Sequence, residues 1–564
     1  MAIGLISDCL GEIFKCLPGD NNTLFQCMLV NKMWCASAVA TLWKDPFAML
    51  IKNLESMSLY DNNTRTDRES RDQALGLLAA FLEKLPEESR SLLIRHGIKL
   101  PKLSTKKPMF EYLGFISTFD IIRFSFAVSF WIFCGGKRGR KTRFQCYLIE
   151  QEIYKVVVNK CPHIIKFRCV EEFFEYDSDQ LPVFNFTYLP PSSNQIFSNI
   201  REFECSAGFT TDQLYFVLSQ LITKLDTLKI CSASEYIDDC YGLTEFIKAQ
   251  QSLRNLEFIC NNKVRDDLQY KNKEIGKALE TQAKSLVRLR IHGYQGVPFE
   301  TFSLCENLGE LSLYFFDDMP QETEDKLVRM KFKRLHKFYV RAASFDLSKF
   351  AKFIRQNGKN LIDVKIEIQN SFDNEQSGLI LDAVAYSCPN IISFHGPIDP
   401  INETQLRFFC KQCKKLNSLG LNFVEDKFDA CDIYDVLNVL GECAPRKIFH
   451  FMLEGDWDLM KCTLEAFLKQ RQSIAPFKVY YIGYIGGIQK RKEDIFEFEN
   501  YNSDYDGSDC SDSQYGNKHF GDMDSNSESF DDDYDFEMNS LHKYLEEGIL
   551  EIRAPLHDDF KFMI

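Results

Sequence analysis

The amino-acid sequence predicts an α/β fold: a small helical module at the N-terminus, then a long array of alternating short strands and helices. Three observations carry this expectation. From Cys161 onward an apolar triplet at spacing i, i+3, i+5 recurs, most starts lying 22 to 33 residues apart. The first 43 residues carry a different spacing, that of one helix face. Near residue 492 the composition turns to Asp, Ser, Asn, Gly and Tyr, too poor in apolar surface to fold.

The N-terminal module spans residues 1–46. Leu10, Ile13, Phe14 and Leu17 share a helical face, with Ser7 or Asp8 available as N-cap and Glu12 near the positive end of the dipole. Pro18-Gly19-Asp20-Asn21-Asn22 stops that helix. A second apolar cluster runs from Leu24 to Val30, a third from Met33 to Trp43, and Asp45-Pro46 closes it. Three short helices bury little surface alone, and units this small usually need a partner.

The segment resembles an F-box. Leu5-Ile6 stands at the leading Leu-Pro-like pair, and Glu12-Ile13 with Leu17 fits the first helix. Leu24, Cys27, Val30, Lys32 and Trp34 fit L-x-x-C-x-x-V-x-K-x-W, and Leu42-Trp43 closes the motif. Ile6 departs from the family's usual proline. The resemblance implies docking to a Skp-type adaptor and, through it, to a cullin ubiquitin ligase. Leu5, Ile6, Ile13, Leu17, Leu24, Val30, Trp34 and Trp43 are the expected adaptor-docking set, some of which must instead hold the helices together.

Residues 47–158 read as a mostly helical connector packed on the repeats, with an amphipathic helix at Arg71–Leu85. The run Phe110–Cys134 is long enough to span a membrane, but Glu111, Asp120 and Arg123 interrupt it. Mid-span charges cost roughly 2.5–3.5 kcal/mol each, so a buried helix or helix–strand pair is expected. The basic stretch Gly135–Arg143 reads as a solvated loop and lacks P-loop spacing.

The repeat array spans residues 159–490. Its triplets begin with Ile164/Phe167/Cys169 and Ile200/Phe203/Cys205, and continue through Leu289/Ile291, Leu311/Leu313, Phe338/Val340 and Val364/Ile366. The last is placed at Phe477/Tyr480/Ile482. Helices are expected between strands, as at Thr211–Ile222, Gln376–Tyr386 and Asp458–Lys469. The triplet is the L-x-x-L-x-L signature of leucine-rich repeats. Cys161, Cys305, Cys388 and Cys413 each precede a strand start by three residues. That resembles the cysteine-containing leucine-rich repeats often coupled to F-boxes, where a small thiol fills the turn between helix and strand.

The resemblance implies a solenoid with a parallel concave sheet and outer helices. The residues between and after the triplets then face the hollow: Arg288, Arg290, His292; Glu310, Ser312, Tyr314; Lys337, Tyr339, Arg341; Asp363, Lys365, Glu367. This expected target-binding face is basic and aromatic in its middle, which suits an acidic or phosphorylated segment.

Residues 491–540 form the acidic, disordered-type segment. Between Glu493 and Glu537 sixteen acidic residues stand against one lysine, leaving 65 acidic and 66 basic residues elsewhere out of totals of 81 and 67. The remaining chain is nearly neutral, so nothing in its charge asks for nucleic acid. Ser503, Ser525 and Ser529 sit in acidophilic-kinase contexts. Residues 541–564 regain apolar character and are expected to cap the last repeat.

A chain of 564 residues with 45% hydrophobic content is globular in class. Twenty cysteines without a signal-peptide pattern read as reduced thiols of a cytosolic or nuclear protein. Cys410-Lys-Gln-Cys413 is a lone C-x-x-C, and no catalytic, metal or cofactor motif appears. The expectation is a non-enzymatic substrate receptor that binds a protein target, without cofactor, nucleic acid or membrane. The alternatives are a leucine-rich-repeat scaffold whose first helices only cap the array, or an interaction protein whose acidic segment folds back on the basic strands.

Overall fold

A computed structural model describes residues 7–17, 20–50, 75–102, 108–133, 140–170, 196–206, 212–232, 240–260, 273–293, 297–315, 318–319, 321–368, 374–423, 431–455, 457–458, 461–473, 476–482, 543–545 and 547–553. Its contacts divide the chain into two units, one of residues 1–317 with 330–335, the other of residues 318–329 with 336–564.

The first unit opens with α1 (Ser7–Lys15), α2 (Asn21–Met28) and α3 (Lys32–Leu42). Asp20 caps α2, its Oδ1 accepting the Thr23 N–H at 3.0 Å. Asn31 caps α3, its Oδ1 accepting the N–H groups of Met33 and Trp34 at 3.0 Å. Seven parallel strands follow: β1 (Thr118–Asp120), β2 (Lys166–Cys169), β3 (Glu202–Ser206), β4 (Thr227–Ser232), β5 (Asn255–Cys260), β6 (Arg288–His292) and β7 (Glu310–Tyr314), paired in sequence order.

The second unit holds β8 (Lys337–Ala342), β9 (Asp363–Ile368), β10 (Ser393–Pro397), β11 (Ser418–Phe423), β12 (Cys431–Asp432), β13 (His450–Gly455), β14 (Trp457–Asp458), β15 (Lys478–Ile482) and β16 (Leu550–Arg553). Seven of these pair in parallel in the order β8-β9-β10-β11-β13-β15-β16, while β12 and β14 form a separate short pair.

The triplet positions explain why the chain stacks this way. Along β5, β8 and β9 burial alternates residue by residue, and the buried set contains the triplet residues: Leu256, Phe258, Phe338, Val340, Val364 and Ile366 are all at most 1% exposed, with Cys260, Ala342 and Ile368 buried after them. Each strand alone cannot cover its apolar side, so neighbouring repeats cover it for one another. The helices bring their own apolar stripe. In Leu347–Asn357 the buried residues Leu347, Phe350, Ala351 and Ile354 fall one turn apart, and Asp346 caps the first turn through Ser348 and Lys349.

The turn between helix and strand is sealed at the expected cysteines. Cys161, Cys305, Cys388 and Cys413 are buried, and burial pushes each thiol up to about 12. Gln250 holds the same position before Leu253 and works by hydrogen bonds instead. Its Nε2 donates to the Ile222 and Phe246 carbonyls, and its Oε1 accepts the Leu225 N–H.

Two boundaries differ from the sequence expectation. The sheet does not begin at Ile164. Within 47–158, Ile116, Phe119 and Ile121 form a further buried triplet, and β1 pairs with β2 in register, Phe119 beside Phe167. The run Phe110–Cys134 thus divides into a 3-10 turn at Tyr112–Phe115, strand β1 and the helix Ile121–Phe133. No helix among the described residues is long and apolar enough to cross a membrane. The expected helix Arg71–Leu85 is helical over 75–82, its residues up to 74 lying outside the described residues.

The last triplet was expected one residue out of frame. Val479, at 0% exposure, takes the core position beside Phe451, and Tyr480 stands beside Met452 on the other face. Strand side chains alternate, so a one-residue slip exchanges the faces. The segment after the acidic run returns to the sheet as β16, Leu550 beside Val479. The acidic segment itself, residues 135–139 of the basic stretch, and Leu5 and Ile6 lie outside the described residues, while 140–143, expected as loop, open the helix Arg140–Lys160.

The N-terminal helices join the repeats in the repeats' own hydrogen-bond pattern. At each step of the first unit, one carbonyl before a strand accepts two consecutive N–H groups of the next: Ser117 from Ile165 and Lys166, Ile165 from Arg201 and Glu202, Arg201 from Asp226 and Thr227. Lys44, just after α3, heads this series. Its carbonyl accepts the N–H groups of Ser117 and Thr118 at 3.0 and 2.9 Å. Nearby, Phe47, Phe81, Phe119 and Phe124 pack ring against ring, and Trp43 lies on Tyr112 with centroids 4.7 Å apart.

Candidate functional site

Two surfaces carry the chemistry: the sheet face opposite the triplets in each unit, and the N-terminal helices.

In the first unit the residue between the two strand positions of each triplet forms a row: Asp120, Arg168, Glu204, Lys229, Glu257, Arg290 and Ser312 stand side by side in register. The sign of charge alternates from Asp120 to Arg290. Arg168 lies 3.2 Å from Asp120 and 3.1 Å from Glu204, and Lys229 lies 3.3 Å from Glu204. Burial works to raise the Glu204 carboxyl, but Arg168, Lys229 and Lys166 overcome it and hold it below the usual range. At the head of the row burial wins. Asp120, with Arg123 and Arg168 beside it and the Asp45 carboxylate near, is raised to about 6.

The expected face residues of this unit fall on the same side of the sheet, with partners of their own. Arg288 and Arg290 reach Glu310 at 2.8 and 3.4 Å. His292 stacks on Tyr314 with centroids 4.6 Å apart and stands 3.5 Å from Glu257. Ser312 is fully buried. Glu310 is held below the usual carboxylate range because Arg288 and Arg290 outweigh its burial.

In the second unit Tyr339 donates its hydroxyl to Asp363 at 2.5 Å. Arg341 and Lys365 stand 3.8 and 2.5 Å from Glu367, and Lys337 is half-buried at the start of β8. The basic character expected of the face is therefore offset locally: Glu257 and Glu310 stand among the first unit's cations, Asp363 and Glu367 among those of the second. Neither set presents the uncompensated positive strip that an acidic partner would require, because parallel pairing places carboxylates beside the cations.

The sequence reading stopped short of two residues here. Next to Lys365 in register lies His395, and beyond it Gly420. Glu454 lies beside Asn422 on the following strand. Donor atoms of Glu367, His395 and Glu454 lie within 4.8 Å of one another. These three positions are 28 and 59 residues apart, and only the strand register brings them together.

The N-terminal helices sort the expected adaptor-docking residues. Leu24 is buried with Leu10, Phe14, Cys27, Ala38 and Leu42 in the helices' own core, and Leu17, Trp34 and Trp43 pack partly buried against it. Trp34 meets Phe14 edge to face at 5.7 Å. In the free chain Leu24 is thus a core residue of the helices, not a contact awaiting a partner. Ile13 and Val30 are exposed, together with Phe25 and Leu29, which lie one turn apart; Leu29 reaches 80%. Phe25 and Leu29 belong to the second apolar cluster of the sequence but not to the expected docking set, which took only Leu24 and Val30 from that cluster.

Among solved structures, the chain is similar to the leucine-rich repeat-containing protein LegL7 from Legionella pneumophila, at 12% identity and a TM-score of 0.31, over 55% of this chain and 98% of that one. No protein-family model matches the chain, and no curated protein matches it. Its own buried triplets on parallel strands, each strand preceded by a helix or turn, carry the pattern of leucine-rich repeats.

Proposed function

We propose that this protein is a substrate-recognition subunit of a Skp–cullin–F-box ubiquitin ligase, working in the cytosol or nucleus. The N-terminal helices dock the Skp-type adaptor, and the open sheet face holds a protein target. It performs no bond chemistry itself; its contribution is to raise the local concentration of the target and to orient it. One observation carries this reading: a helical unit with a complete small core of its own still exposes Ile13, Phe25, Leu29 and Val30. Exposed large apolar side chains gathered on so short a segment are a feature of interaction surfaces.

A second reading has its own support. The Lys44 carbonyl occupies the first place in the repeat hydrogen-bond series, as it would in a leucine-rich-repeat scaffold that α1–α3 simply cap. Terminal repeats need such a cap. The two readings separate on the exposed residues, which a cap does not use. Full-length chain mixed with Skp-type adaptor is expected to co-elute as a stoichiometric complex. Leu29→Asp and Val30→Asp, both at exposed positions, are expected to weaken it by about tenfold or more while leaving the circular dichroism unchanged. An adaptor that fails to bind the folded wild-type chain leaves the scaffold reading.

A further inference from the structure

The second unit carries a side-chain cluster that adaptor docking does not use. Glu367 on β9, His395 on β10 and Glu454 on β13 converge on the open face. His395 is 7% exposed, and its Nε2 faces Glu454 Oε2 at 3.5 Å, an ion-pair distance outside good hydrogen-bond geometry, from which the imidazole still holds the Glu454 carboxyl below its usual range. Asn422, beside Glu454 in register, is 8% exposed and has an Oδ1 with no hydrogen-bond partner. Buried polar atoms are rarely left this way, because an unsatisfied one is costly. Here two stand on one face next to two carboxylates.

The neighbouring strand β11 leaves room for the imidazole, Gly420 standing beside His395 in register. A Cβ on Gly420 would lie 2.4 Å from His395 Nδ1, so any residue but glycine would push the ring away.

We propose that Glu367, His395 and Glu454 bind a divalent transition-metal ion of the zinc class. An imidazole nitrogen with two carboxylates is a donor set that such ions favour over calcium or magnesium, which take all-oxygen shells. Donor atoms around a tetrahedral ion at about 2.0–2.1 Å stand about 3.3 Å apart. With His395 and Glu454 already 3.5 Å apart and all donors within 4.8 Å, the cluster closes by at most about 1.5 Å on binding, a movement within reach of two glutamate side chains. Three protein ligands leave a coordination position for water or for a donor from a bound partner. The ion competes with Lys365, which lies 2.5 Å from Glu367 Oε1, and with Arg341, 3.8 Å from its other oxygen. Removal of Lys365 consequently strengthens binding.

The test uses the full chain, reduced and stripped of metal, titrated with cobalt(II). Twenty cysteines make the choice of probe important, since thiolate ligation announces itself by ultraviolet charge-transfer bands that nitrogen and oxygen ligands do not give. The expected result is one equivalent bound with visible d–d absorption and no thiolate bands, displaced by zinc. Glu454→Gln and His395→Asn abolish the signal, and Lys365→Met tightens binding about tenfold or more. Glu454 is the safer variant for the fold, its side chain being 35% exposed. No saturable uptake by the wild-type chain, thiolate bands in its spectrum, or a signal surviving both ligand variants overturns the proposal. This site stands or falls independently of adaptor binding.

Discussion

Glu150 is the residue where local chemistry is most exposed to test. It lies in the helix Arg140–Lys160, buried at 4% exposure, and accepts a hydrogen bond from Ser125. Burial raises its carboxyl to about 7, with the Ser125 hydroxyl opposing. Below the unfolded value of 4.5 both states hold the proton, and burial costs nothing in charge. Between 4.5 and about 7 the folded state keeps a proton that the unfolded chain has lost, so stability falls as pH rises through that window. Glu150→Gln removes the liability while keeping an acceptor for Ser125. Denaturant melts are expected to show the variant equal to wild type near pH 4 and more stable by roughly 1–3 kcal/mol above pH 7. A pH-independent difference would contradict the assignment.

At the scale of elements, the register of β15 makes the sharpest prediction. Val479→Asp places a charge in the core and is expected to destabilise by more than about 3 kcal/mol. Tyr480→Asp, on the open face, is expected to cost under about 1 kcal/mol. Thermal melts of the two variants decide the frame, and the reverse order would restore the one read from sequence. That slip shows what was legible. Where the triplet residues stand alone among polar ones, as Val364 and Ile366 do among Asp363, Lys365 and Glu367, the frame is unambiguous. In Phe477-Lys-Val-Tyr-Tyr-Ile every residue but Lys478 is apolar or aromatic, and two frames fit equally. The same blurring hid Ile116/Phe119/Ile121 inside a run rich in Phe and Ile. The alternating charges from Asp120 to Arg290 were present in the sequence at a fixed place in each repeat, but their neutralisation depends on pairing. Leu24 and Trp34 show a further limit: the same helical spacing marks a residue for the core of three helices or for a partner, and only packing separates the two.

For the molecule as a whole, net charge and exposed apolar side chains are divided among distinct parts. The repeats neutralise their own cations on the sheet face, while the excess acid lies in residues 493–537, where the 81 carboxylates and 67 basic residues of the chain are least balanced. On the proposed function, a target on the sheet face would be selected by shape and paired polar groups more than by net charge. The chain's first segment extends the hydrogen-bond series at Lys44 and leaves the apolar side chains of Ile13, Phe25, Leu29 and Val30 exposed. Amide hydrogen exchange of the full-length chain, with and without saturating Skp-type adaptor, tests this division most directly. The account predicts slowed exchange in α1 and across residues 25–30, with the strands unchanged. Unchanged exchange in those helices, or protection confined to the sheet, would contradict it.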